Sequence, residues 1–284
     1  MKRLLTFALL ASFTLGVQAA AAPNTLAKIK SSKAITVAYA PNAAPFSFDD
    51  DKSKKPAGYS IDLCEKVVAN IQKELGLSEV KIKWVGGNTT ERLAMVAEGK
   101  ADMECGVTTV TLKRQEKVDF SSISFVQAGG VLARADAGIK SARDLGGKKV
   151  AVVAGTTTEK RLVEALGRDK IMAEVVPFKE RSEAFKALED GKVQALAGDK
   201  IVLVGLVARD TAGGRFALLA EDFSIEPYGF ALHRGDPDFR LAVNRGLART
   251  YGSGEIVPIF DRWFAPFKPT DLLKALYLFG AMEE

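Results

Sequence analysis

The feature that most limits how this chain can fold is an alternation of short β-rich runs with amphipathic helical stretches, and it occurs twice. In the first set, residues 35–40 read as a strand and 41–58 as a loop. Ser60 stands where an N-cap would open a helix to about residue 73, with Ile61, Cys64, Val67 and Val68 on one face. A strand over 80–85 follows, then a helix capped by Thr89 or Thr90 that Gly99 stops. Residues 102–106 and 125–134 read as further strands.

The second set starts almost afresh. Residues 141–145 read as a helical turn and 149–153 as a strand, and Gly155, Thr156 and Thr157 open a helix to about 166. A strand over 175–178, a helix over 182–189 and a strand over 193–197 lead into Asp199. The chain ends with a strand over 228–233 and helices over 236–251 and 255–264. Strands that alternate with helices predict mainly parallel sheets covered on both faces, and two such sets predict two lobes with a cleft between them.

The N-terminus has a separate reading. Lys2 and Arg3 precede an apolar run over 4–17, and Ala19 to Ala22 supply the small residues a signal peptidase reads. A signal peptide is therefore expected over 1–22, because the run is shorter than the roughly 20 residues that a membrane span needs. No Cys follows it, so no lipid anchor is expected. The expected mature chain is periplasmic and retains enough residues for two lobes.

Charge and composition exclude more than they select. The formal charge of +5 is scattered, with no basic run of the kind that holds nucleic acid. The single histidine, His233, has no histidine partner, and the two cysteines lack zinc-ligand spacing, so neither a metal site nor a cofactor is expected. No Gly-x-Ser-x-Gly elbow and no phosphate-binding loop occurs. Cys64 and Cys105, in an exported chain, are expected to form a disulfide; two buried thiols are the alternative.

What remains is polar residues at strand ends and helix starts. Val107, Thr108 and Thr109 leave a strand, with Arg114 on the next turn, and a guanidinium beside hydroxyls and backbone N–H groups suits a carboxylate. Thr156 and Thr157 open a helix whose N-terminus favours an anion. Asp199, at a strand end, suits an ammonium. Each has a plainer reading: Thr109, Thr157 and Asp199 as caps, and Arg114 as a surface residue.

At these residues the sequence resembles the amino-acid-binding proteins of bacterial ABC importers, solute-binding protein family 3, and within it the glutamate/aspartate-binding branch. The matching stretches are 45–48, 58–63, 104–109 with Arg114, 118–121, 155–157, 185–191, 228–230 and 261–264, in the family's order. The resemblance implies an α/β, two-lobed Venus-flytrap fold that the chain crosses twice, near 124–128 and 226–228. Lobe 1 would comprise 26–124 and 229–284, and lobe 2 would comprise 128–225.

By the same resemblance, Arg114 and the Thr109 N–H would hold a ligand α-carboxylate, with Thr157 adding to the grip. Asp199 and the Val107 carbonyl would accept from the α-ammonium, and Phe46 would pack over the ligand. The partners implied are a free amino acid and the membrane permease of an ABC importer, with the chain a monomer, not an enzyme.

The side-chain pocket departs from the branch. Ala40 stands in place of an arginine, Arg181 in place of a histidine and Val107 in place of a serine, whereas Arg92 and Thr89 match a branch arginine and serine. Arg92 and Arg181 are therefore expected to select a side-chain carboxylate. The structural alternative is that Arg92 pairs with Glu91 or another helix carboxylate and Arg181 faces solvent. A neutral polar amino acid, an opine-like ligand and a same-fold dehydratase are the competing functional readings.

Overall fold

The computed structural model describes residues 24–208 and 213–282, so the expected signal peptide over 1–22 lies outside the described residues. The first set of elements is α1 (Thr25–Ser32), β1 (Ala34–Tyr39), a small sheet of β2 (Asn42–Ala43), β3 (Ser47–Asp49) and β4 (Pro56–Ala57), then α2 (Tyr59–Glu74), β5 (Lys81–Gly86), α3 (Thr89–Ala97), β6 (Met103–Glu104) and α4 (Leu112–Gln115). The long strand β7 (Val118–Arg134) leads to the second set. That set is β8 (Lys149–Val153), α5 (Thr157–Arg168), β9 (Glu174–Phe178), α6 (Arg181–Glu189), β10 (Ala195–Asp199), α7 (Lys200–Val207) and β11 (Phe216–Leu218). A second long strand, β12 (Ser224–His233), returns to the first set, and α8 (Pro237–Gly252), α9 (Ile256–Phe264) and α10 (Asp271–Gly280) follow.

The strands lie in the order β5-β1-β6-β12-β7-β10-β8-β9, with β11 on the flank of β7. Both ends of this path are parallel, as the alternation predicts: β5, β1 and β6 at one end, β10, β8 and β9 at the other. The middle is antiparallel, because β7 and β12 each run through both halves. The fold is therefore two-lobed α/β with two chain crossings.

Each half has its own apolar core on both faces of its strands. In the first lobe α2 contributes Leu63, Cys64, Val67, Val68 and Ile71 to one cluster, together with Phe239, Val243 and Leu247 of α8. These positions recur at helical spacing, so one face of α2 is buried along its length. Val96 of α3 packs with Ala38 and Ala231 on the opposite face. In the second lobe Leu162 and Leu166 of α5 cover one face of β8 and β10, and Ala184, Ala187, Leu188 and Leu203 cover the other.

The disulfide expected in the first lobe is present: Cys64 on α2 is bonded to Cys105, just beyond β6, across a separation of 41 residues. It ties the segment that leads to Thr109 and Arg114 to a helix whose inner face is buried along its length.

Four local expectations are corrected. The helix α2 starts at Tyr59 with Gly58 at its N-cap, so Ser60 lies inside the first turn and donates from Oγ to the Gly106 carbonyl at 2.8 Å. The helix α3 is capped by Asn88, not by Thr89 or Thr90; the Asn88 side chain accepts from the Glu91 N–H and Glu91 returns the bond, a reciprocal capping box. The strand expected over 125–134 begins at Val118, because residues 118–125 pair with β12 before the chain leaves the first lobe. The strand expected over 102–106 is only two residues long, since the chain turns away from the sheet after Glu104. Among the described residues no helix is long and apolar enough to cross a membrane.

Candidate functional site

The two crossings form an antiparallel ribbon in which Ile225 faces Ala128, Glu226 faces Gln127 and Tyr228 faces Phe125. A cavity lies against it, and its walls come from both lobes. From the first lobe come Thr89, Val107, Thr109 and Arg114; from the second come Thr156, Thr157, Arg181 and Asp199. Seven of the sequence-expected residues are thus brought to one place: Thr89, Val107, Thr109, Arg114, Thr157, Arg181 and Asp199.

Local rules explain how each is held. Thr111 caps the short helix α4 by accepting from the Arg114 N–H, which fixes the backbone of Arg114. The Arg114 guanidinium donates from Nη1 to the Thr109 carbonyl at 2.7 Å, so it is tethered to the turn that carries Thr109. Gly155, at φ 73°, makes the left-handed turn after β8. Thr156 then caps α5 by accepting from the Glu159 N–H, which places Thr157 in the first helical turn. Asp199 ends β10 and stands at the N-cap position of α7, but its side chain makes no capping bond. Its carboxylate instead meets the Tyr228 hydroxyl, to which Gln127 donates from Nε2.

The charges in the cavity are balanced rather than uniform. Burial pushes the Asp199 carboxyl up to about 6, opposed by Arg181, by the Tyr228 hydrogen bond and by Arg114. Burial also lowers Arg114 and Arg181 from the usual guanidinium range, with Glu104 opposing it at Arg114 and Asp199 at Arg181. Both remain cations at any physiological pH. The cavity therefore offers two guanidinium groups and one carboxylate whose charge is costly until it has a partner.

Contacts across the cleft show the lobes closed. Thr109 Oγ1 and Thr157 Oγ1 are 3.2 Å apart. Arg181 donates from Nη1 to the Asn42 Oδ1 at 3.2 Å. Asn88 donates to Glu180 at 3.3 Å, and Lys179 pairs with Glu91 at 3.1 Å. Beneath the two threonines lies Glu226, which is 1% exposed. It accepts from Thr109 Oγ1 at 2.6 Å, from Thr157 Oγ1 at 2.8 Å and from Ser224 Oγ at 2.6 Å.

Two expected positions do not face the cavity. Phe46 is fully buried behind its wall, in ring contact with Tyr59, Phe125, Tyr228 and Phe264. Its ring contacts with Phe125 and Tyr228 brace the crossing strands. Arg92 is directed to Glu104 at 2.7 Å, with further bonds to the Gly87 carbonyl and to Thr108 Oγ1. Neither Glu91 nor a helix carboxylate is its partner. Gly106 makes this pairing possible, since a Cβ there would lie 2.3 Å from Glu104 Oε1.

Glu226 was not among the sequence-expected residues, although one signal pointed to it. An acidic residue in an otherwise apolar strand is buried only when partnered, and Glu226 lies between Ile225 and Pro227 in such a run.

Comparison with known proteins gives a consistent result. Residues 35–266 match the family model of bacterial extracellular solute-binding proteins, family 3. An L-glutamate/L-aspartate-binding protein of Pseudomonas aeruginosa is 37% identical over 251 residues, covering 88% of this chain and 83% of that protein. The glutamate/aspartate import solute-binding protein of Escherichia coli strain K12 is 31% identical, covering 89% of this chain and 84% of its own. Among solved structures, the ancestral amino acid-binding protein AncCDT-1, a precursor of cyclohexadienyl dehydratase, superposes with a TM-score of 0.73 at 30% identity, covering 85% of this chain and all of that one (100%).

Proposed function

The chain belongs to the bacterial extracellular solute-binding proteins, family 3, and we propose that it captures a free acidic amino acid, glutamate or aspartate, and delivers it to an ABC importer. The observation that carries this reading is the cavity itself. It sets Arg114 of the first lobe against Asp199 and Arg181 of the second.

A zwitterion matches two of these groups. Arg114 and the Thr109 N–H receive the α-carboxylate, and the Thr157 N–H, at the start of α5, adds the positive end of a helix. Asp199 and the Val107 carbonyl accept from the α-ammonium. Arg181 is left for a carboxylate on the ligand side chain, which favours glutamate and aspartate over glutamine. The relatives from Pseudomonas aeruginosa and Escherichia coli, named for these two amino acids, support the same choice.

Because the groups come from two lobes, a ligand that touches both favours closure by the difference between its affinities for the two states. In this reading the lobes are 26–124 with 229–284, and 128–225, and the chain acts as a periplasmic monomer that presents its closed form to a permease. It binds without turnover. The test is a calorimetric panel of L-glutamate, L-aspartate, L-glutamine and L-arginine on the mature protein. Saturable binding of the acidic pair with unchanged ligand recovered afterwards supports the reading. Tighter binding of L-arginine, or a converted product, contradicts it.

A further inference from the structure

Arg181 is the first residue of α6, at the positive end of the helix, where a cation is disfavoured. Burial disfavours it further, opposed first by the charge of Asp199. A guanidinium kept only for stability would be expected to pair with a carboxylate. Among the described residues Arg181 instead makes both of its hydrogen bonds to one neutral residue of the opposite lobe. Its Nη1 donates to Asn42 Oδ1 at 3.2 Å and to the Asn42 carbonyl at 3.4 Å. Asn42 itself is firmly placed. It pairs with Phe48 in the small sheet, and Ser47 Oγ clamps the strand before it by donating to the Ala40 carbonyl and accepting from the Ala40 N–H. The helix α7 of the second lobe lies against the same loop, where a Cβ on Gly205 would stand 2.3 Å from the Ala44 carbonyl oxygen. Asn42 therefore meets Arg181 only when the lobes are together.

We infer that Asn42 determines side-chain specificity by fixing the Arg181 guanidinium across the cleft without neutralising it, so that its charge is kept for an acidic ligand side chain. The inference rests on the acidic amino-acid reading and deepens it by naming the residue that keeps Arg181 available. Asn42 is a positioning residue. An amide oxygen accepts the same hydrogen bond as a carboxylate but carries no charge. A carboxylate at this position would hold the guanidinium equally well and would cancel it. A guanidinium has five N–H donors, and only those on Nη1 are engaged by Asn42. The others remain for a ligand, and the anchor that orients them forms on closure. Selection of the side chain is thereby coupled to the meeting of the lobes.

Asn42→Asp tests this with almost no change in shape, since it keeps the accepting oxygen and adds a charge. The probes are L-glutamate and L-glutamine, which differ only in the charge and donors of the side-chain terminus, measured by titration calorimetry on the mature protein. The expected result is that Asn42→Asp weakens L-glutamate at least tenfold and L-glutamine less than threefold. Asn42→Ala, which removes the anchor and adds no charge, should lower the ratio of glutamate to glutamine affinity at least threefold. It should lower it no further in the Arg181→Gln background, where there is no guanidinium to position. An Asn42→Asp protein that keeps the wild-type ratio, or that loses both ligands equally, overturns the inference alone. Wild-type protein that does not prefer L-glutamate to L-glutamine overturns the acidic amino-acid reading together with it.

Discussion

Arg92 is bonded to Glu104 at 2.7 Å with the two side chains 2% and 0% exposed, so a cation that resembles a ligand-selecting arginine is committed to the protein interior. The pair sits where β6 leaves the sheet, directly before the turn that carries Val107 and Thr109. The bonds of Arg92 to Glu104 and Thr108 hold that turn, and the cation proposed to face a ligand side chain is Arg181.

Replacing Arg92 with Met should therefore act on stability first. Removing Arg92 leaves Glu104 buried without its hydrogen-bonded cation, at a cost of about 3–5 kcal/mol. Urea unfolding of Arg92→Met should show this loss, while the ratio of glutamate to glutamine affinity changes less than threefold in protein that remains folded.

Arg181→Gln should do the reverse. The side chain lies at the cleft, bonded to Asn42 of the opposite lobe, and no buried acid loses its only partner. Calorimetry should show glutamate weakened at least tenfold and glutamine by much less. Equal losses for both would remove Arg181 from the role of selector.

Arg114→Ala removes the cation proposed for the α-carboxylate and leaves a buried anion unpaired, which costs about 2–5 kcal/mol in complexes of this kind. Affinity for every amino acid in a panel should fall by at least thirtyfold. Unchanged binding would place the carboxylate elsewhere.

The pH dependence follows from Asp199, whose carboxyl is raised from 3.8 to about 6. Between those values the ligand-free fold holds a proton more tightly than the unfolded chain, so its stability falls as pH rises through that window. An ammonium requires the ionised form and opposes the effect. Affinity should be level above about pH 7 and decline towards roughly tenfold per pH unit below about 6, with proton release on binding. A flat profile from pH 5 to 8, measured in buffers of different ionisation enthalpy, would remove Asp199 from the ammonium site.

The cross-link between Cys64 and Cys105 closes a loop with a sequence separation of 41 residues. Such a loop corresponds to about 4 kcal/mol of chain entropy in the unfolded state. The urea midpoint of the Cys64→Ala, Cys105→Ala double variant should fall accordingly, and the same loss should follow from reduction of the wild type. A midpoint that does not move would show that the packing of α2 alone fixes this segment.

The sequence made the lobes legible because each is built from local repeats: residues 149–153 and 182–189 carry their periodicity within a few neighbours. The crossing strands were half legible, since residues 118–124 pair with residues more than a hundred positions away and show no distinct local pattern. Arg114, Thr157 and Asp199 were found from their place at helix starts and strand ends. The interior pairing of Arg92 is not legible in the sequence, because its partner, Glu104, comes from a strand that helical spacing cannot reveal. Glu226 was missed for the same reason: what makes it matter is the meeting of Thr109 and Thr157 across the cleft, a contact only the closed fold creates. α10 carries Tyr277 to Tyr59, which donates to the Ser124 carbonyl at the crossing, and no motif marked that contact.

The most direct test of the account is a thermal-shift measurement on the mature protein with L-glutamate and L-aspartate against other amino acids. At 100 times the dissociation constant a ligand adds about 2.7 kcal/mol, which for a chain of this size raises the Tm by roughly 5–10 °C. The account predicts that shift for the two acidic amino acids and a smaller one for glutamine. No shift with any free amino acid would contradict it.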